Sequence, residues 1–96
     1  MSTVPHLLVH DPRDNVGVVV VEGVAAGQEL LGVQLVGDTD FRVVAAHDTP
    51  IGHKVALADL ADGQDVIKYG EVVGRMVAPA SRGDHVHTHN MKPKRW

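Results

Sequence analysis

Apolar residues in this chain come in short runs, each cut off by glycine, proline or aspartate. VGVVVVEGV (Val16–Val24) is a continuous apolar run of strand length, the pattern of a strand covered on both faces. DPRDN before it and AAGQ after it are turn-like. LLGVQLVGD (Leu30–Asp38) and FRVVAAHDT (Phe41–Thr49) predict two further strands, and Pro50 with Gly52 marks a tight bend. KVALADLADG (Lys54–Gly63) predicts a short strand leading into one helical turn that stops at Gly63. QDVIKYG (Gln64–Gly70) and EVVGRMVAP (Glu71–Pro79) are short strands broken by glycines. HVHTHN (His85–Asn90) alternates with period two and predicts the last strand.

About seven short strands and almost no helix give an all-β fold, small and irregular, with one or two helical turns. No internal repeat is evident. Composition supports this reading: eighteen valines carry the core, while aromatics are 3% of the chain. β-Branched side chains lose rotamer freedom in helices and pack well on pleated sheets. Ninety-six residues form one domain (1–96), with a core over about 6–91 and a basic tail at 92–96. The net charge of −3 argues against nucleic-acid binding, which needs a basic footprint. With no cysteine, thiolate metal sites and cysteine nucleophiles are excluded. The N-terminus lacks a basic segment followed by a long apolar run, and no apolar stretch is long enough to cross a bilayer. The expectation is a cytoplasmic protein with no membrane contact.

Three histidines, His85, His87 and His89, stand at every second position of HVHTHN. On a strand they share one face, about 7 Å apart per pair. Imidazoles so placed can converge on zinc, iron, copper or nickel. The alternative is a solvated strand face with Val86 and Thr88 turned inward. No carboxylate stands at a spacing that completes a metal triad. In PIGHKVAL, His53 and Lys54 follow the bend, a base beside a cation, which suits an acid–base or anion site. Isolated His-Lys pairs in turns are more often plain surface. In IKYGE, Lys68 and Tyr69 face opposite ways if the segment is extended. Neither a Ser-His-Asp order nor a phosphate loop is present. A chain this short leaves little room for an enclosed cavity of roughly 300 Å³. Catalysis by this chain therefore implies a second chain. The tail KPKRW ends in a planar cationic fork, Arg95, and the one tryptophan, Trp96, a composition suited to anchoring a partner interface.

PIGHKVAL, DVIKYGEVVG and GDHVHTHN, in that order, resemble the small N-terminal domain of the altronate and galactarate dehydratase family, from about His6 to Trp96. The resemblance implies a β-clip fold of the SAF type, in which short strands bend back on themselves. Some members carry this domain as a small subunit beside a large catalytic one. VGVVVVEGV, GRMVAP and the ending Lys-x-Lys-Arg-Trp are similar to the small subunits whose substrate is the 2-hydroxy acid sulfolactate, while Thr88 and Pro93 depart from them. The implied reaction is β-elimination: a base takes the C2 proton, the C3 substituent (sulfonate or hydroxyl) leaves, and the enol becomes a 2-keto acid. The resemblance also implies a divalent metal, iron above all, stabilising the enediolate as a Lewis acid and held by either chain. The expected catalytic residues are His53, Lys54, His87 and His89. His85, His87 and His89 are the metal candidates. The alternatives are a sugar-acid dehydratase subunit and a non-catalytic SAF binding or scaffold module.

Overall fold

The computed structural model describes residues 4–37 and 39–94. Nine strands follow in order: β1 (Leu7–Val9), β2 (Val16–Val19), β3 (Glu29–Gln34), β4 (Thr39–Val44), β5 (Lys54–Ala56), β6 (Asp65–Lys68), β7 (Glu71–Met76), β8 (His85–Val86) and β9 (Met91–Pro93). Six of them form a sheet in the order β4-β3-β1-β2-β5-β8, and three form a second sheet, β6-β7-β9. Every pair is antiparallel except β1 with β3. The all-β expectation holds. Two strands escaped the sequence pattern: LLV in β1 and MKP in β9 are too short for a period to show. Lys92 and Pro93, at the start of the basic tail, pair with β7.

The helical turn expected after Leu57 is absent, and among the described residues there is no helix. Leu60 instead exchanges two backbone hydrogen bonds with Ala80, at 2.7 and 2.8 Å. That fixes an extended residue where a helix would need a coiled one.

Two apolar clusters fill the interior. One gathers Leu7, Val19, Val24, Leu30, Val43, Ala45 and Val55, and the other Val16, Ala56, Leu60, Val66, Met76, Ala80, Val86 and Met91. Consecutive residues of β5, Val55 and Ala56, enter different clusters, so this strand is buried on both faces. The sheets are tied together by polar groups as well. The buried Asp14 carboxylate accepts amide hydrogens from His10, Asp11, Tyr69 and Gly70. Asn15 accepts from the Ile67 amide and donates to the Asp65 carbonyl. DPRDN is thus a clamp on the turn between β6 and β7. Tyr69 in that turn adopts a left-handed φ of 58°. Lys68 and Tyr69 consequently do not diverge: the Lys68 ammonium lies 5.0 Å from the Tyr69 ring centre.

A structural repeat is present that sequence identity does not reveal. Four reverse turns share one construction: Ala25–Gln28, Pro50–His53, Ala61–Gln64 and Ser81–Asp84. In each, the fourth residue's amide donates to the first residue's carbonyl, at 3.0–3.1 Å in the first three and 2.9 Å in the last. The third residue is always glycine at positive φ: Gly27 (86°), Gly52 (86°), Gly63 (85°) and Gly83 (95°). Such a φ at the third position is the geometry of a type II turn, which glycine adopts without steric cost. A buried residue precedes each turn (Val24, Thr49, Leu60, Ala80), and a fully buried aliphatic lies two positions after it (Leu30, Val55, Val66, Val86). Val24 bridges Thr49, and Leu60 bridges Ala80, so the turns stand in pairs. The copies are unevenly spaced and share only glycine by identity. No fixed period announces them.

Candidate functional site

The second and fourth of these turns feed β5 and β8, which lie side by side with Lys54 opposite Val86 and Val55 opposite His85. Carried one step further, this register sets His53 opposite His87. Their rings stack with centroids 3.6 Å apart and planes within 14°. His85 joins from the diagonal: its Nε2 lies 2.7 Å from Nδ1 of His53, so one of the two nitrogens carries the hydrogen and the other accepts it. His89 lies 4.9 Å from His85 between ring centres, tilted by 43°. Lys54 pairs across the ladder with buried Val86, and so takes the face opposite to that of His85.

HVHTHN is not the extended ladder that its alternation predicts. β8 ends at Val86, and the chain turns from His87 onward. Asn90 causes the turn. Its side-chain Oδ1 accepts from the His87 amide at 3.0 Å, and its Nδ2 donates to the His85 carbonyl at 2.9 Å. The amides of Asn90 and Met91 both donate to the His87 carbonyl. Buried Asn90 thereby fixes the backbone on both sides of Val86, which sets where His85 and His87 project. Sequence reasoning passed over it; the available signal was an asparagine at the end of an alternating run, where its side chain competes for backbone groups.

The electrostatics favour uncharged rings. Burial, then the neighbouring His89, His53, His87 and His47, pushes the His85 pKa below that of an ordinary imidazole. His87 is lowered by burial first, then by His53, Lys54 and His89. Lys54 is likewise lowered, by burial and by Lys68. His47, absent from the sequence expectations, stands at the rim with Nε2 3.3 Å from Asp84. His87 Nδ1 is buried and has no hydrogen-bond partner. The unprotonated ring nitrogen of an uncharged imidazole can accept a proton.

A shared cation does not fit this arrangement. The planes of His53, His85 and His87 lie within 10–22° of one another, so their lone pairs lie in separate, nearly parallel planes and do not meet at one point. The 2.7 Å contact of His53 with His85 is a hydrogen bond between the two nitrogens. Among the described residues no group of three His, Asp or Glu side chains is placed to hold a metal ion. Two concavities, of about 420 and 790 Å³, lie elsewhere, around Asp59–Leu60–Ser81 and around Arg75–Lys92, and no histidine lines either. Arg95 and Trp96 lie outside the described residues.

Residues 5–94 match the altronate/galactarate dehydratase SAF domain. The chain belongs to that family. Within it, the SAF chain is 51% identical over 89 residues to "(2R)-sulfolactate sulfo-lyase subunit alpha" of Chromohalobacter salexigens, covering 93% of this chain and 95% of that one. It is 59% identical over 59 residues to the protein of the same name in Paracoccus pantotrophus, covering 62% of this chain and 88% of that one. An altronate dehydratase of Escherichia coli is 39% identical over 79 residues, covering 82% of this chain but only 14% of that much longer enzyme. These relatives are lyases and dehydratases, so the SAF chain is a member of a lyase family. No helix among the described residues is long and apolar enough to cross a membrane.

Proposed function

We propose that this chain is the small subunit of a cytoplasmic lyase that eliminates sulfite from (2R)-3-sulfolactate, acting with a large catalytic subunit of the same family. The observation that carries the proposal is the cluster of His53, His85 and His87 where β5 and β8 meet, in which His85 and His87 are favoured uncharged. The sulfo-lyase subunits named above, matched over most of their length, supply the substrate class.

The chemistry needs a base that is free of protons near neutral pH, because only such a base can take the C2 proton. His85 and His87 meet this condition, since burial and neighbouring positive charge disfavour their protonated forms. The C2–H bond breaks, its electron pair forms the C2–C3 double bond, and the C3–S pair leaves with sulfite. The enol then gains a proton at C3 and loses its hydroxyl proton to become pyruvate; the proton removed from C2 ends on sulfite or in solvent. Lys54, on the opposite face of β5 from His85, takes no part in this proton transfer. His89, next to His85, exchanges protons with solvent. A divalent metal, as the family resemblance implies, would be held by the large subunit and would supply Lewis-acid polarisation of the hydroxy acid.

The experiment is reconstitution. Purified chain and large subunit together should release sulfite and pyruvate from sulfolactate, and the small chain alone should release none. His87→Ala in the complex should lower turnover on the order of 10²-fold or more, the usual contribution of general acid–base catalysis. Full turnover by the small chain alone, or an unchanged rate for His87→Ala, would refute the proposal. The altronate dehydratase match favours a second reading, a sugar-acid dehydratase subunit. Formation of a 2-keto-3-deoxy sugar acid from altronate, with no sulfite from sulfolactate, selects it.

A further inference from the structure

The four related turns differ in one respect that bears on His53. In three of them the fourth residue's side chain folds back and accepts the backbone N–H of the first: Gln28 Oε1 from Ala25 at 3.1 Å, Gln64 Oε1 from Ala61 at 2.9 Å, and Asp84 Oδ2 from Ser81 at 2.8 Å. In the remaining turn the fourth residue is His53 and the first is Pro50, which has no N–H to offer. Nδ1 of His53 stands as many bonds from its backbone as Oδ2 of Asp84 does, and imidazole Nδ1 is a competent acceptor. A donor at position 50 would therefore compete for it. With proline there, the side chain is released from its own turn, and Nδ1 meets His85 Nε2 at 2.7 Å instead.

We propose that Pro50 is a positioning residue for His53: by removing the one backbone donor that ties down the equivalent side chain in the sister turns, it commits His53 to the histidine cluster. Pro50 is exposed and outside both apolar clusters, so packing does not account for its identity. The turn itself does not require proline at this position either, because Ala25, Ala61 and Ser81 make the same turn. The catalytic consequence rests on the lyase reading, whereas the structural claim does not.

The test uses the full chain and needs no substrate. Pro50→Ala is made in three backgrounds: wild type, His53→Gln and His53→Ala. In the His53→Gln background the new N–H finds a glutamine acceptor, as in the two Gln-bearing sister turns. The folding equilibrium constant should then respond to Pro50→Ala more favourably than in the His53→Ala background, by roughly three- to tenfold, the worth of one hydrogen bond. In the wild-type background, imidazole ¹⁵N spectra at pH 8 should show His53 Nδ1 leaving the hydrogen bond with His85 and accepting from the new backbone amide at position 50. Should Pro50→Ala act equally in the Gln and Ala backgrounds and leave the His53 ¹⁵N signals in place, proline is merely a rigid turn residue and the proposal is overturned. In the reconstituted complex, Pro50→Ala should lower kcat more than it raises KM; a complex inactive even with wild-type chain refutes the lyase reading and leaves the spectroscopic result to judge Pro50.

Discussion

Replacing Asn90 by alanine tests whether one buried amide holds the histidine cluster in place. The substitution removes the acceptor of the His87 amide and the donor to the His85 carbonyl. Each buried backbone group left without a partner costs about 1–3 kcal/mol. The segment is close enough to the surface for water to recover part of this, so a loss of about 2–3 kcal/mol is expected for the pair. In a domain of this size that lowers the thermal midpoint by roughly 10–20 °C. Urea unfolding followed by circular dichroism measures it, with the midpoint falling and the slope unchanged. Asn90→Asp is the informative partner variant. It keeps the acceptor for His87 but sets an anionic oxygen against the His85 carbonyl in place of the donor, so it should cost at least as much as alanine does. Its new charge beside the rings should also raise the basicity of His85 and His87. A loss below ~0.5 kcal/mol for Asn90→Ala, the range of an ordinary surface change, would refute the role given to Asn90.

Acid should weaken the fold. The pKa values of His85 and His87 are lower in the folded chain than the ordinary 6.5, so between the two values the unfolded chain binds more protons. Their stabilising contribution is complete above about pH 6.5 and is lost as pH falls through the folded values; unfolding midpoints that do not fall between pH 7 and 5 in wild type, or that fall equally in a His85→Ala/His87→Ala double variant, contradict this. Gly83→Ala should be among the most damaging small substitutions, because φ is 95° there and a Cβ would strike the Val44 carbonyl oxygen of a neighbouring strand. A loss above about 2 kcal/mol in the same urea assay is expected, combining left-handed strain with backbone displacement. Gly63→Ala serves as the control, since its φ is equally left-handed at 85° but the space around it is open, so it should cost visibly less.

Much of this protein is written locally, in its residues. Valine-rich runs cut by glycine determine an all-β chain, because β-branched side chains suit pleated surfaces and glycine alone accepts the left-handed φ that the turns require. His53, Lys54 and the histidines of HVHTHN were visible in the sequence as candidates. Their arrangement was not. The alternation in HVHTHN suggested three imidazoles on one strand, but Asn90 ends the strand after Val86, and two hydrogen bonds from its side chain to the backbone outweigh a weak extended preference in six residues. The partner of His85 and His87 is His53, more than thirty residues upstream. That meeting depends on the register of β5 against β8, which cross-strand burial of Val55 and Val86 sets and no single segment encodes. The four related turns stayed hidden for a similar reason. Their likeness lies in hydrogen bonds and backbone angles, for which Gln28, Gln64 and Asp84 are interchangeable acceptors, so sequence identity need not accompany it. Local propensity thus determined the strands and turns, while long-range pairing alone decided which side chains meet, because the energy that selects a register is shared among residues far apart in the chain.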